Sequence, residues 1–539
     1  MLTKLARVGL TAAAMVLAAT TFVLAETTAT PAPKNVAQAS ASATASPNPF
    51  TYRGYVRAYD LTRQNAYSAF GGPGPGSKAN QASFNSAISL HGDYNFLGSG
   101  FDVGASYLYA QPFNNCANPA THSSTAGPPC GTKSEPPGLN PDDTLPGFEM
   151  STLYEAYARY DANGLYVQGG DQVMNTPWAP SSDSRLKPVS YQGVDASYKL
   201  NSNWTIEGAD IWEWECRTCS NFDKGTLLTV VNPGGYAYPG ASALPTTVYD
   251  PSETPLDNNG FFYGHLGYKG PKSLPLAANL YYYSFSNIAT NFWADAKMTL
   301  GTSMLKPYLA LQGGTENGTS SDLLGKIDSS IIGAQIGFYP MPALLLAGSF
   351  DYIPLKTDTV DLATYGLTCS AQHQIGFAAG HKAYNVAFPY FLPSGGTAQC
   401  SPNASNAALT DVYYGGWASP YTDSYATDPT FVSSGTQDMP DRRSPGSAAK
   451  IAATFTSDNR QLVTTVQQEW YDYSNPGYAT GNSETDFDTQ YFFAKVPKHG
   501  LYKGFSLRVR LFSRSESTWP GGSPDGLFKY SRFQAEYDF

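Results

Sequence analysis

The chain ends with Leu527-Phe-Lys-Tyr-Ser-Arg-Phe-Gln-Ala-Glu-Tyr-Asp-Phe539, and this stretch decides the fold. From Phe533 onward the odd positions are Phe, Ala, Tyr and Phe, whereas the even positions from Arg532 are Arg, Gln, Glu and Asp. Since successive side chains of a strand point to opposite faces, one face is apolar and aromatic and the other is polar. An edge strand of a soluble sandwich shows the same alternation. The stretch alone therefore predicts a strand and leaves the kind of sheet open.

Composition narrows the choice. Only 14% of the 539 residues are charged, against roughly 25% in average proteins. Another 14% are aromatic, with 38 Tyr and 51 Gly, which suits a lipid-facing surface and strands joined by tight turns. The net charge of -10 argues against nucleic acid as a partner, because a basic footprint is expected there.

The first 25 residues have the pattern of a secretory signal peptide. Lys4 and Arg7 give a positive start, an apolar run follows from Val8 to Leu24, and Ala25 offers a small residue for cleavage. No later run of about 18 apolar residues occurs, so we expect no transmembrane helix in the mature chain. Residues 26–49 are rich in Ala, Ser, Thr and Pro and are predicted to be a low-complexity linker.

From residue 50 the alternating pattern recurs about eighteen times, in segments of about ten residues, the length that crosses a bilayer at a tilt. The links between segments alternate in length. Tight turns such as 97–100, 201–203, 270–273 and 457–460 follow even-numbered strands, and most odd-numbered strands are followed by long links such as 112–149, 215–259 and 355–446. Only an up-and-down arrangement places all the short turns at one end.

These observations predict an all-β fold for residues 50–539: a transmembrane, up-and-down antiparallel β-barrel of about 18 strands. In hydrocarbon every backbone N–H and C=O needs an internal partner, so a membrane protein built from strands must close on itself. Bacterial outer-membrane barrels have short periplasmic turns and long extracellular loops. We therefore expect the bacterial outer membrane as the location, and closure of the last strand against the strand that begins at Phe50.

A barrel of this size is too wide for side chains to fill and encloses water. The polar face should then line a lumen. Six arginines, here called the arginine strip, become neighbours only if the barrel closes: Arg53, Arg57, Arg508, Arg510, Arg514 and Arg532. Acids predicted to face inward include Glu155 and Asp351. Such a strip can guide carboxylates through weak successive contacts, or it can form salt bridges that only brace the wall.

Six cysteines remain in the exported part, and their even number fits disulfides. The candidates are Cys116, Cys130, Cys216, Cys219, Cys369 and Cys400, each natural pair falling within one long loop. The Cys216-x-x-Cys219 spacing would also suit a metal, but a second pair of ligands is missing nearby. We expect no metal and no cofactor.

One part of the chain resembles a known family. Leu153-Tyr-Glu-Ala-Tyr157 is followed by Gly169-Gly-Asp-Gln172, Asp183-Ser-Arg-Leu-Lys-Pro188 and Tyr191-Gln-Gly-Val194. In this order the segments resemble the OprD-type substrate-specific porins of Gram-negative outer membranes. The resemblance implies an eighteen-stranded barrel, a basic ladder on its wall, a pore narrowed by the third and seventh loops (172–188 and 355–446), and amino acids, peptides or small carboxylates as solutes. It also makes Asp183 and Arg185 the candidate constriction residues.

The leading function is a passive diffusion channel, and so not an enzyme. Expected partners are outer-membrane lipid, small solutes, and the barrel assembly machinery acting on the strand that ends at Phe539; the chain would be a monomer or a homotrimer. Other functions remain open: a surface adhesin that uses the long loops, or, less favoured, a barrel lipid hydrolase. A hydrolase needs a nucleophile with a base, and the six histidines are not accompanied by a Gly-x-Ser-x-Gly motif.

Overall fold

The structure, a computed structural model, describes most of the predicted strands and parts of the loops. The described residues are 49–67, 78–96, 98–113, 139–140, 145, 149–179, 181, 185–215, 217, 220–222, 260–286, 289–301, 305–318, 328–354, 357–361, 367–369, 375–377, 408–413, 421–422, 446–473, 482–497, 501–515 and 528–539. The predicted signal peptide, nearly all of the linker and all six cysteine side chains lie outside these residues, and so does Asp183.

Eighteen strands form the wall of the molecule. They are β1 Phe50–Tyr67, β2 Lys78–Asn95, β3 Phe101–Pro112, β4 Met150–Ala162, β5 Leu165–Gln172, β6 Ser190–Lys199, β7 Trp204–Glu215, β8 Phe261–Lys269, β9 Leu276–Phe285, β10 Ala289–Thr299, β11 Tyr308–Gly318, β12 Asp328–Met341, β13 Leu344–Ile353, β14 Gly446–Thr456, β15 Leu462–Tyr473, β16 Asn482–Phe492, β17 Gly504–Ser515 and β18 Phe528–Asp538. Five short strands belong to loops: Leu139–Asn140, and two hairpins, Thr357–Asp361 with Ala408–Tyr413 and Leu367–Cys369 with Ile375–Phe377.

Each wall strand pairs antiparallel with the next, and β18 pairs with β1, so the sheet is closed. At the seam, Tyr55 lies opposite Asp538 and Gln64 opposite Lys529. The last residue takes part, because the backbone N–H of Gly54 donates to the carbonyl of Phe539 at 3.2 Å and the backbone N–H of Phe539 donates to the carbonyl of Gly54 at 3.0 Å. The predicted closed eighteen-stranded barrel is confirmed.

Side chains alternate between the two faces of the wall. Along β3 the pattern switches between exposed and buried from Phe101 to Ala110. Phe101, Val103 and Tyr107 are exposed on the outside, and Asp102 and Ser106 are buried on the lumen side. An apolar exterior with a polar interior is the reverse of a soluble protein and matches a barrel solvated by lipid. Among the described residues, no helix has the length and hydropathy to span a membrane.

The links also follow the predicted segregation. One end of the barrel carries tight connections such as 163–164 and 342–343, and the other end carries 113–149, 216–260 and 354–445. The turn at Asn163 and Gly164 has positive φ at both residues, 55° and 81°. That conformation matches the right-handed twist of the paired strands, and Asn-Gly is the sequence best suited to it.

Closure imposes one requirement on sequence that can be tested. A Cβ at Gly54 would collide with the carbonyl oxygen of Ser89 and with the ring of Phe539. We expect Gly54→Val to lose most of the folded, slow-unfolding barrel, measured as heat-modifiable mobility in detergent gels, because the Ser89 carbonyl belongs to the β1–β2 ladder and cannot yield without disturbing it, and the ring of Phe539 would be pushed away from the seam. The matched control is Gly348→Val on β13, where a Cβ meets open space. Equal folding of the two variants would contradict the requirement for glycine at position 54.

Candidate functional site

The arginines of β1, β17 and β18 meet on the lumen side of the seam. Register places Arg510 opposite Arg532, and Arg532 opposite Leu61 on β1. The side chain of Arg514 lies outside the described residues. Five members of the arginine strip can therefore be located, and closure of the barrel brings them to one part of the wall.

Most of these guanidinium groups have carboxylates beside them on the same wall. Arg57 Nε lies 2.5 Å from Glu536 Oε2. Asp488 Oδ2 accepts hydrogen bonds from Nη2 of Arg508 at 2.5 Å and from Nη2 of Arg510 at 2.8 Å. Such ion pairs fix side-chain positions and reduce the charge that the lumen feels. Of the two sequence-based interpretations, wall bracing accounts for Arg57 and Arg510 in full.

Arg532 has a different environment. It is 1% exposed, its Nη2 donates to Gln534 at 2.5 Å, and its guanidinium lies 4.6 Å from the ring centre of Tyr59. Within the described part of the chain, its Nε and Nη1 have no hydrogen-bond partner. This charge is therefore buried without a carboxylate. Arg508, with a side chain 27% exposed, and the partly exposed Arg53 are the members that a solute can reach.

The third loop, residues 173–189, lies against this wall. Arg57 donates to the carbonyl of Arg185 and, at 3.5 Å, to that of Leu186. The hydroxyl of Tyr55 donates to the Leu186 carbonyl at 2.6 Å. The Leu186 side chain is fully buried in an apolar cluster with Tyr59, Leu61, Leu108, Met150, Tyr154, Phe512 and Tyr530. Arg185 thus contributes its backbone to the anchoring of the loop, which the sequence pattern did not show.

A buried ion pair anchors the same loop to β7. Lys187 Nζ lies 3.4 Å from Glu215 Oε1, and both side chains are fully buried. The hydroxyl of Thr152 on β4 donates to the same carboxylate oxygen at 2.7 Å. Burial lowers the pKa of Lys187 to about 8, although the neighbouring Glu215 acts in the opposite direction.

The beginning of the third loop contacts other parts of the wall. The backbone N–H of Val173 donates to Glu155 Oε1 at 3.3 Å. Trp178 packs edge-on against Trp293 of β10, with ring centres 5.4 Å apart. The loop therefore contacts β1, β4, β7 and β10. In the seventh loop, the hydroxyl of Tyr421 donates to the carbonyl of Leu311 on β11 at 3.2 Å.

The two acids singled out in the sequence both face inward and both have partners. Glu155 also accepts from Ser106, and Asp351 Oδ1 accepts from Gln312 at 2.6 Å. A denser acidic group lies on β15 and β16, where Glu469, Glu484 and Asp486 have carboxylate oxygens within 4.8 Å of one another. The residues at 484, 486 and 488 alternate as Glu, Asp and Asp, a period-two pattern that places all three on one face of a strand.

This acidic group has protein donors around it. Gln467 Nε2 donates to Glu469 at 2.9 Å and to Asp486 at 2.7 Å, and Lys450 Nζ lies 3.9 Å from Glu469. These contacts place donors beside two of the three carboxylates, those of Glu469 and Asp486.

Two histidines of the wall each lie within a network of carboxylates. On β2, His91 Nδ1 lies 2.6 Å from Ser106 Oγ and Nε2 lies 2.7 Å from Asp93 Oδ2. Tyr157 donates to the other oxygen of Asp93 at 2.7 Å. Ser106 in turn donates to Glu155.

On the wall formed by β7 to β10, His265 has a similar position. Its Nδ1 lies 3.4 Å from Glu207 Oε2, and its Nε2 lies 3.1 Å from Asn279 Oδ1. Asn279 Nδ2 donates to Asp295 Oδ1 at 2.8 Å. The His265 ring stacks on Tyr281 with centres 4.1 Å apart.

The first network bears on the hydrolase alternative, since Ser106, His91 and Asp93 are in the hydrogen-bonded order of a catalytic triad. Ser106 is fully buried, and its hydroxyl contacts Glu155 as well as the imidazole. The substrate of a nucleophile has to contact it, and among the described residues this hydroxyl is fully enclosed. The arrangement supports a structural network instead.

Comparison with solved structures identifies the same fold elsewhere. OpdK of Pseudomonas aeruginosa, solved with vanillate, is 9% identical, with a TM-score of 0.55 over 91% of this chain and 98% of that chain. OccK2 of Pseudomonas aeruginosa, solved with glucuronate, is 12% identical, with a TM-score of 0.55 over 91% and 98%. OccAB4 of Acinetobacter baumannii is 12% identical, with a TM-score of 0.56 over 92% and 100%.

No sequence-family model and no curated protein sequence matches the chain. The similarity to solved structures nevertheless extends over nearly the whole length of both chains. At these identities the similarity concerns the fold, and at that level the resemblance to OprD-type porins is confirmed.

Proposed function

We propose that the protein is a porin of the bacterial outer membrane, a passive diffusion channel for small polar solutes that carry a carboxylate. The observation that carries the proposal is the closed eighteen-stranded sheet, with exposed apolar side chains outside and ionised side chains on the lumen face. A closed barrel leaves no backbone edge in the hydrocarbon, and one of this size encloses a water-filled space.

The preference for carboxylates rests on the reachable arginines. Arg508 shares Asp488 with Arg510, and its side chain is 27% exposed, so part of its guanidinium faces the lumen. Arg53 on β1 is also partly exposed. Guanidinium groups bind carboxylates through paired hydrogen bonds. OpdK and OccK2 were solved with vanillate and glucuronate, and both of these ligands are carboxylates.

The third loop is the element that we infer to narrow the passage. It contacts the seam wall through Arg185 and Leu186 and the opposite wall through Trp178, so its described parts contact strands on opposite sides of the barrel. The seventh loop assists at β11 through Tyr421. Assembly into the membrane would use the final strand and Phe539.

The test is conductance and solute uptake by purified protein. In planar bilayers we expect discrete current steps with anion preference in a KCl gradient. In liposome swelling we expect glucuronate to enter faster than glucose, which has a similar ring and no carboxylate. Absence of current steps would reject the channel, and equal entry of the two sugars would reject the role of the arginines.

A further inference from the structure

We propose that His91 and His265 determine charge selectivity, because each of their networks holds one proton that the lumen wall gains and loses with pH. The conduction part of this inference rests on the proposed channel function. The presence of the proton is inferred from hydrogen-bond geometry alone. His91 and His265 are the two histidines whose side chains the structure describes.

The first network can be checked donor by donor. A neutral imidazole carries one N–H and a serine carries one O–H. Ser106 Oγ lies within hydrogen-bond distance of both His91 Nδ1 and Glu155, and His91 Nε2 lies within the same range of Asp93. These three contacts need three hydrogens, and a neutral imidazole with Ser106 supplies two. The third is an additional proton.

The second network gives the same result. His265 Nδ1 faces Glu207, so it carries a hydrogen, and its Nε2 faces the amide of Asn279. With the amide oxygen toward the ring, Nε2 must also carry a hydrogen. With the amide turned, its oxygen would face Asp295, which would then have to be protonated. Either orientation requires one proton beyond those of a neutral imidazole and two carboxylates.

In both networks the imidazole is the group that takes this proton, because an imidazole is more basic than a carboxylate by about two pKa units. Around His91 the surrounding charges are those of Arg53 on β1, Asp93 on β2, Asp102 on β3 and Glu155 and Arg159 on β4, with the phenol of Tyr157. Three acids and two arginines leave one negative charge, which an imidazolium neutralises.

Around His265 the titratable neighbours are Glu207 on β7, Tyr263 on β8, Tyr281 on β9 and Asp295 on β10. This group contains two acids and no arginine, so it keeps one negative charge when the imidazole is protonated and carries two when it is not. Loss of both protons makes the wall more negative by two charges. Anions should therefore pass most readily at acidic pH.

The conduction test is the reversal potential in a KCl gradient between pH 5 and pH 9. In the wild type we expect the ratio of chloride to potassium permeability to fall as pH rises, by about fourfold for each proton, because a unit charge about 10 Å away in water changes the permeability of each ion about twofold and in opposite directions. In the background of Lys187→Met with Glu215→Gln, which removes the titration of Lys187 near pH 8, His91→Gln and His265→Gln should each remove about half of the change on a logarithmic scale. With both histidines replaced in that background, the ratio should be nearly independent of pH. Heat-modifiable mobility confirms that each variant is folded.

A second measurement separates the proton from the channel. Nitrogen NMR of histidine-labelled protein in detergent micelles, with signals assigned by their loss in each variant, should show both ring nitrogens of His91 and His265 protonated at pH 7. Neutral rings would overturn the inference even if the protein conducts. Protonated rings with a pH-independent permeability ratio would overturn the selectivity role. Protonated rings without any current would reject the proposed function and leave the proton assignment standing.

Discussion

Glu215→Gln should release the third loop and raise the single-channel conductance. Lys187 is fully buried and pairs with this carboxylate at 3.4 Å, and breaking a buried pair by removing one partner costs about 3–5 kcal/mol, since the other charge is left uncompensated. That cost acts against the contacts that remain at this end of the loop, which are the hydrogen bonds donated by Arg57 and Tyr55 and the buried side chain of Leu186. We expect larger current steps, more open-channel noise, and faster proteolysis within residues 173–189.

The double variant Glu215→Gln with Lys187→Met is the matched control. It removes both charges, so the lone buried ammonium that drives release in the single variant is absent. Conductance and protease resistance should return most of the way to those of the wild type. If the double variant is as open as Glu215→Gln, the uncompensated ammonium is not what drives release; the loop then needs the ion pair itself, and the contacts of Arg57 and Tyr55 do not hold it alone.

The same lysine gives the docked loop a pH dependence of defined sign. Its pKa is about 8 in the docked loop and about 10.4 for a lysine in water, so between these values the docked loop binds fewer protons than the released one. Raising the pH favours the state that binds fewer protons. The free energy of loop docking should therefore become more favourable as the pH rises from 8 to 10. This gain should be lost as the pH falls through 8. Proteolysis rates at pH 7.5 and 9.5 should differ in the wild type and converge in Lys187→Met with Glu215→Gln.

Arg508→Gln should change ion preference and Arg532→Met should change thermal stability, although both variants remove a lumen-face arginine. Arg508 is the exposed member, so its loss should lower anion preference. Arg532 is buried without a carboxylate, and replacing a buried charged group by a well-packed apolar one is often neutral or stabilising by about 1–4 kcal/mol. We expect Arg532→Met to raise the temperature at which the folded band disappears in detergent gels and to leave the reversal potential nearly unchanged.

The outcome separates two accounts of the arginine strip. If Arg532→Met shifts the reversal potential as much as Arg508→Gln, buried and exposed arginines act together as one field. If it lowers thermal stability, the contact between the guanidinium and the ring of Tyr59 is worth more than the burial of an unpaired charge costs.

The fold could be predicted from the sequence because its cause is periodic. Alternation along the strands and the segregation of short and long links each follow from a chain that must expose apolar side chains and satisfy every backbone group. The face occupied by the arginines followed from the same alternation. The side-chain pairs between neighbouring strands could not be predicted in this way. The contact of Arg57 with Glu536, for example, depends on the register at the seam, which the local sequence pattern does not determine.

The loop contacts were still less predictable. Lys187 and Glu215 belong to no repeating pattern, and their pairing depends on how a loop folds back into the barrel. The anchoring by Arg185 uses a backbone carbonyl, which every residue possesses. In contrast, the acids at 484, 486 and 488 have the period of a strand and could have been placed on the lumen face in advance.

The span of the third loop has a mechanical consequence. Its contacts with β1, β4, β7 and β10 tie together parts of the cylinder that are far apart around the circumference. Contacts that join distant strands through the interior oppose a change in the outline of the sheet, so the segment inferred to narrow the passage would also help to keep the cross-section of the barrel constant.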